Sequence, residues 1–392
     1  MLSLRCVKRG GSVVNAWRRT PSTTTSIRRQ QQFYYSSEAS RQPSQQQKRK
    51  VIFSGIQPTG VPHLGNYLGA LREWFRLQQN AGADDALIFS LVDQHAITVH
   101  QDPKQLRQWK KESLAILLAI GLDPKRCILF HQSDVPAHVE MMWILSRQAS
   151  TGYLGRMTQW KDKTTNLIRG NSTSADTPKP GLSLFAYPVL QAADVLVHGA
   201  THVPVGEDQV QHLEFSRELA TSFNHSYGKG ILTPPTTLIS PAKRVMSLVN
   251  PNAKMSKSAV NPKSRILLTD STEAIGMKLK SALTDSVEGV TYDPAVRPGV
   301  SNLVDAILYT SDGEYGSQED VVRDLQGASM RALKEKAAES VERAIGPVRE
   351  QYFEFIADER MLREIATDGA ERAKQNAGVV LKRAQRAIGF DW

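Results

Sequence analysis

Val51-Ile52-Phe53-Ser54-Gly55-Ile56-Gln57-Pro58-Thr59-Gly60-Val61-Pro62-His63-Leu64-Gly65-Asn66 is the stretch on which the reading of this chain turns. Val51–Ser54 is a β-branched and aromatic run of strand character, and residues 55–60 are punctuated by glycine and proline as a loop is. A helical pattern opens at Leu64–Asn66 and runs to about Gln79, with Tyr67, Leu71, Trp74 and Phe75 on one face. Further on come an apolar strand at Ala86–Val92, a helix over Lys104–Leu122, a strand at Cys127–His131 and a helix after Pro136. Strands alternating with helices predict an α/β fold with a parallel sheet. Past Pro262 the strand signals fade. Most of Thr272 to Phe390 reads as helix, including Ser329–Ile356, expected to break at Gly346-Pro347, and Asp368–Ile388.

The composition narrows the class. At 392 residues the chain has room for roughly two or three domains of about 150 residues each. The longest apolar run, Leu114–Leu122, is far short of the roughly 18–20 residues of a membrane-spanning helix, so no membrane partner is expected. The two cysteines, Cys6 and Cys127, can build neither a disulfide framework nor a cysteine-based zinc site. The net charge of +10 is confined to residues 1–50, which hold eleven basic side chains against Glu38. The rest of the chain is electrically balanced, so the charge is no mark of a nucleic-acid-binding body. Residues 1–47, rich in Arg, Ser, Thr and Gln and poor in acids, have the make-up of an organellar transit peptide. A disordered basic tail that touches RNA or anionic surfaces has the same make-up.

Three short motifs carry chemistry. His63-Leu64-Gly65-Asn66 opens the first helix, where unpaired backbone N–H groups favour an anion and Gly65 permits close approach. Gly206-Glu207-Asp208-Gln209 follows the apolar run Val203-Pro204-Val205, at the sheet edge where open α/β folds bind ligands. Lys254-Met255-Ser256-Lys257-Ser258 suits a loop that closes on a polyphosphate, because phosphoryl-type transfer rests on positioning and on charge stabilisation. Singly, these motifs also fit a plain helix start, a strand-to-helix turn and a solvated loop.

Together and in this order they resemble the class I aminoacyl-tRNA synthetases, with HLGN at the first signature and a complete KMSKS at the second. Residues 52–60, Val92-Asp93-Gln94-His95-Ala96-Ile97-Thr98 and Met246-Ser247-Leu248 are similar to the bacterial-type tryptophanyl family, and the basic tail to its mitochondrial forms. The resemblance runs from Val51 to Phe390, outside the tail and a long loop near Asn166–Pro180. Tyr187, Gln191 and Asp194 share a helix face on a helix begun by Pro188, a pattern also used by tyrosyl enzymes. Val92–Thr98 stands where that branch carries a glycine-rich segment, which favours tryptophan.

The resemblance implies a Rossmann-like catalytic domain over residues 48–261 and an all-α anticodon-binding domain over residues 262–392, whose last helix folds back on the first. It implies ATP with Mg²⁺ as substrate, no zinc or prosthetic group, L-tryptophan and tRNA(Trp) as partners, a homodimer joined near Met141–Trp160, and a place in the mitochondrial matrix. Asp194 is expected to accept the indole N–H, with Phe53, His95, Val203 and Val205 walling the ring, Tyr187 and Gln209 at the ammonium end and Gln191 beside them. Gln57, Pro58, Thr59, His63, Gly65 and Asn66 would meet ATP from one side, and Gly206, Glu207, Asp208 and Val245 from the other. Lys254, Met255, Ser256, Lys257 and Ser258 would close on the phosphates, with Lys163, Lys254 and Lys257 neutralising pyrophosphate charge. Arg331, Lys334, Lys336, Arg372, Lys374, Lys382, Arg383 and Arg386 are available to tRNA phosphates. Two other readings remain at this point: a small-molecule nucleotidyltransferase, which leaves the lysine loop and helical tail unexplained, and a synthetase-derived RNA-binding protein.

Overall fold

The computed structural model describes residues 49–158, 160–161, 181–206, 209–239, 244–257 and 259–391. The transit-peptide reading, Lys163, the loop near Asn166–Pro180, Glu207, Asp208 and Ser258 lie outside the described residues.

Five strands form one parallel sheet among the described residues: β1 (Val51–Ile56), β2 (Ala86–Leu91), β3 (Cys127–His131), β4 (His202–Val205) and β5 (Thr236–Ile239). Their spatial order is β3-β2-β1-β4-β5, all parallel, with β1 in register against β2 from Val51↔Ala86 to Ile56↔Leu91. Sequence order therefore reverses between β1 and β4, the place where such sheets open a crevice at their carboxyl ends. The inner strand β2 is apolar but for Ser90, and every residue after Ala86 is buried, as expected of a strand covered on both faces. β5 escapes the sequence reading because it follows Pro234-Pro235 and stands half exposed at the sheet edge.

Helix α1 spans residues 64–80 and contains a π-type turn at Tyr67–Leu71. That extra residue in the turn shifts the buried face: Leu64, Leu68, Leu71 and Trp74 are buried, whereas Tyr67 and Phe75, expected on the same face, are only half buried. Next come α2 (Asp93–Ala96), α3 (Pro103–Ala119), α4 (Ala137–Ser146), α5 (Thr151–Arg156), α6 (Leu182–Val197) and α7 (Val210–Tyr227). α6 does not begin at Pro188: it starts after the Gly181 cap, and Pro188 lies inside it among buried residues. Tertiary packing of that helix outweighs the missing N–H.

The remainder is helical: α8 (Thr272–Lys280), α9 (Pro298–Thr310), α10 (Gln318–Asp324), α11 (Met330–Ala357) and α12 (Glu359–Ile388). α11 runs unbroken through Gly346-Pro347, and α12 begins nine residues before the Asp368 expected, on the Asp358 cap. Residues 48–392 form one compact unit. α12 closes the open side of β3, and the fit is tight enough that a methyl group on Gly369 would overlap the Leu129 carbonyl oxygen. Ala370, Ala373, Ala377 and Ala384 continue this buried small-residue face. No helix among the described residues is long and apolar enough to cross a membrane.

Candidate active site

A cavity of about 340 Å³ opens at the carboxyl ends of β1 and β4, where the strand order reverses. All eight residues expected around the amino acid line it: Phe53, His95, Tyr187, Gln191, Asp194, Val203, Val205 and Gln209. Gln57, Asn66 and Gly206, expected at ATP, line it too. Trp74 and Glu73 of α1 add to the wall without having been anticipated.

The floor is Asp194, only 2% exposed and held from three directions. Its Oδ2 accepts from His95 Nε2 at 2.8 Å, and its Oδ1 from Gln132 Nε2 at 2.6 Å and His138 Nδ1 at 2.7 Å. Burial alone would raise its pKa, but the charge of His95 and the hydrogen bonds from His138 and His95 hold it down to about 2. The group is a carboxylate at any physiological pH. A carboxylate offers about four lone-pair sites, so three filled from the protein leave one, on Oδ2, for a donor in the cavity.

His95 is placed by its own short helix α2. Asp93, at the start of that helix, receives the Ser133 N–H at 2.9 Å and the Ser133 hydroxyl at 2.5 Å, and pairs with Lys110 at 2.6 Å. Burial pushes the Asp93 carboxyl up, and the Lys110 and Ser133 contacts more than reverse it. Gln132 ties the segment down again, taking the Gln94 N–H at 3.1 Å on its Oε1.

At the other end of the cavity, Gln191 Nε2 donates to Gln209 Oε1 at 3.1 Å, and the Tyr187 hydroxyl lies 3.2 Å from His212 Nε2. His212 Nδ1 is 3.1 Å from Gln209 Oε1. His212 therefore joins the two residues expected at the ammonium end. Its only sequence signal is its place three residues after Gln209.

The ATP-side residues form a second wall. His63 and Asn66 cap each other: His63 Nδ1 accepts the Asn66 N–H at 3.3 Å, and Asn66 Oδ1 accepts the His63 N–H at 3.2 Å. This corrects the expected open helix N-terminus. Asn66 N–H is taken by His63, and Leu64 N–H is donated to the Ile266 carbonyl at 2.8 Å, because residues 266–268 pair along 62–64. The remaining polar edge of His63, its Nε2, is the proton-bearing nitrogen, since burial and then the Lys257, Lys254 and Arg265 charges lower its pKa to about 4. Gly65 is packed under His63: an added Cβ would stand 3.1 Å from the imidazole and 3.7 Å from Val245.

Residues 245–257 fold as a tight loop over this wall. Met255 N–H donates to the Val245 carbonyl at 3.1 Å, and Asn302 of α9 clamps the Met246 backbone at 2.9 and 3.1 Å. Met255 is buried, while Lys254 and Ser256 are exposed. Lys257 folds inward, its Nζ donating to the Gly60 carbonyl at 3.2 Å, and burial lowers its pKa to about 8. Pro58 and Thr59 sit in the same turn, where Thr59 N–H donates to the Gln57 carbonyl at 3.0 Å. Neither reaches the cavity, and neither do His63, Gly65 or Val245.

Comparison with known proteins identifies the family. The family model for class I tRNA synthetases (W and Y) matches residues 45–346. The mitochondrial tryptophan–tRNA ligase of Schizosaccharomyces pombe is 41% identical over 86% of this chain and 95% of its own length. The crystal structure of tryptophanyl-tRNA synthetase from Mycoplasma pneumoniae superposes with a TM-score of 0.77 at 29% identity, covering 87% of this chain and 98% of that one. The Campylobacter jejuni enzyme, solved with ADP and tryptophan, gives 0.70 at 29% identity over 86% and 99%. This chain belongs to the class I tRNA synthetases of the tryptophan and tyrosine branch, in its tryptophan–tRNA ligase group.

Proposed function

We infer that the chain charges tRNA with tryptophan for mitochondrial translation. The tryptophan carboxylate attacks the α-phosphate of ATP, forming tryptophanyl-adenylate and releasing pyrophosphate. The 2′-hydroxyl of the terminal adenosine of tRNA(Trp) then takes the acyl group. Both attacking groups belong to the substrates, so the protein binds, orients and stabilises charge.

The single observation that carries the amino-acid choice is the Asp194 carboxylate, buried at the cavity floor with three of its acceptor sites filled. An indole N–H satisfies the fourth. Phenylalanine has no donor, and a buried acceptor left unpaired costs about 1–3 kcal/mol or more. Phe53, Val203 and Val205 supply the apolar walls, and the Tyr187–His212–Gln209 group faces the ammonium end.

Gln57, Asn66 and Gly206 lie along the path from amino acid to nucleotide. Lys257 reaches the turn below it, and Lys254 and Lys163 belong to the same charge clamp on pyrophosphate. Glu207 and Asp208 complete the adenosine side, with Ser258 on the phosphates. Mg²⁺ enters as the counter-ion that ATP brings.

α8 to α12 form the anticodon-reading part. Several of its basic side chains sit in surface pairs, such as Arg331–Glu335 at 2.8 Å and Lys374–Glu371 at 3.9 Å. Such pairs are worth little and exchange readily for phosphate. A homodimer forms through residues 141–160, where Trp143 stands 78% exposed. Residues 1–47 direct the chain to the mitochondrial matrix. The test is aminoacylation of a total tRNA pool with each labelled amino acid in turn. Charging by tryptophan alone supports the reading, and charging by tyrosine overturns it.

A further inference from the structure

Behind Asp194 a line of buried polar side chains leads out of the cavity to the last helix. His138 (0% exposed) and His198 (2%) face each other with Nε2–Nε2 at 3.3 Å, and His198 Nδ1 lies 2.7 Å from Asn376 Oδ1 on α12. Phe53, itself a cavity wall, stacks on His198 at 5.4 Å and 17°, and Phe130 packs against both imidazoles at 5.6 and 5.7 Å. These contacts fix the rings in place, and the hydrogen bonds fix which nitrogen carries which proton.

The polarity follows from the two ends. At one end Asp194 is an acceptor, so His138 Nδ1 donates to it. At the other, Asn376 presents its carbonyl oxygen, so His198 donates from Nδ1. Burial, followed by the His138 charge, lowers the His198 pKa to about 3, so that ring is neutral and its Nε2 carries no proton. The His138–His198 contact is thus the middle link of a hydrogen-bonded line that runs from Asp194 to Asn376. The carboxylate that meets the amino acid thus has its facing partner oriented from α12.

We propose that His138, His198 and Asn376 are positioning residues for amino-acid selection, through which the docked last helix holds the Asp194 carboxylate in place with one acceptor site turned to the substrate. The proposal rests on the reading of Asp194 given above. Without the Asn376 carbonyl, the buried His198 Nδ1 loses its partner, and the ring loses the contact that fixes it from α12. His198 then no longer holds the far edge of His138, and the ring that donates to Asp194 loses the partner that orients it. Gly369 lies seven residues before Asn376, on the same face of α12, where the helix backbone meets β3. Docking and hydrogen bonding therefore come from one surface.

The experiment is ATP–pyrophosphate exchange by the full chain, with KM measured for tryptophan and for ATP, in the wild type, Asn376→Leu, Asn376→Asp and Asp194→Asn. Asn376→Leu keeps a good helix former and removes the acceptor; it should raise KM for tryptophan about 10-fold and leave kcat and the ATP KM within about 2-fold. Asn376→Asp still accepts from His198 and should stay within about 2-fold of wild type throughout. An unchanged tryptophan KM in Asn376→Leu overturns the proposal, as does equal behaviour of the two variants or an equal loss on both substrates. Should Asn376→Leu lose the fold, His198→Phe keeps the ring stacked on Phe53, removes both nitrogens and is read in the same way. If Asp194→Asn raises the tryptophan KM and the Asn376 change does not, only this proposal falls. If Asp194→Asn leaves the tryptophan KM unchanged, the reading of Asp194 falls and the proposal with it.

Discussion

The two walls of the cleft are built in opposite ways. The wall proposed for the nucleotide is made of short, contiguous loops: residues 57–66 and 245–257, held by backbone hydrogen bonds and by the Asn302 clamp. The wall proposed for the amino acid is a set of single side chains from α2, α4, α6 and α12 and from the turns that follow β3 and α6, joined by hydrogen bonds to Asp194 and beyond. Phosphates are met by charge and backbone, which local sequence can supply. On the proposed reading an indole is distinguished by one buried acceptor, which takes side chains from distant parts of the chain to orient.

If the two walls do separate jobs, variants on each should separate kinetically. The largest effect is expected from Lys257→Ala, which removes the charge we propose to act on the polyphosphate. Adenylate formation should slow by about 10²–10³-fold, with tryptophan binding retained in equilibrium titration. A loss of tryptophan affinity of the same size would break the division. Asp194→Asn should lower kcat/KM for tryptophan by about 10²-fold and leave the ATP KM unchanged. A matching rise in the ATP KM would show the walls to be one unit.

Gly369→Ala should lower stability by about 2–4 kcal/mol, read as a fall in Tm, since a methyl group there meets the Leu129 carbonyl and α12 must lift off β3. A Tm equal to wild type would show that the helix shifts at no cost, and would loosen the link from Asn376 to the pocket.

Two pH effects should be smaller, and they differ in sign. His63 and His198 have pKa values lowered to about 4 and about 3, against 6.5 unfolded. The unfolded chain binds more protons in that window, so stability falls as pH drops below about 6.5. Thermal unfolding between pH 7.5 and 4.5 reads this, and a flat Tm would contradict it. On the alkaline side Lys257 titrates near 8 because it is buried, so it loses its charge as pH rises past that value. Accordingly kcat/KM for ATP should decline above about pH 8, and the decline should be absent from the residual activity of Lys257→Ala.

The same contrast explains what could be read in the sequence. The alternation that gave the parallel sheet, and the three motifs around the cleft, are local patterns, and β1 to β4 follow them. The eight expected amino-acid residues all line one cavity, because the resemblance placed them on strand ends and on one face of α6. Gln132, His138, His198, His212 and Asn376 carry no such pattern. Each is a lone polar residue whose meaning comes from a partner 25 to 178 residues away, or from a short polar cluster such as Gln209–His212. Pro188 and Pro347 both sit inside helices, Pro188 among the buried residues of α6 and Pro347 on the exposed side of α11 between the buried Gly346 and Val348, so the packing of the rest of each helix outweighs one lost hydrogen bond. The open helix N-terminus at Leu64 was also misread, since residues 266–268, two hundred positions on, occupy it.

The most direct test of the central claim is ATP–pyrophosphate exchange by the full chain with tryptophan, tyrosine and phenylalanine in separate reactions. Exchange with tryptophan, at a kcat/KM at least about 10²-fold above the other two, is the predicted result. Equal exchange with phenylalanine would mean that the Asp194 acceptor does not select the substrate, and exchange with tyrosine alone would contradict the assignment outright.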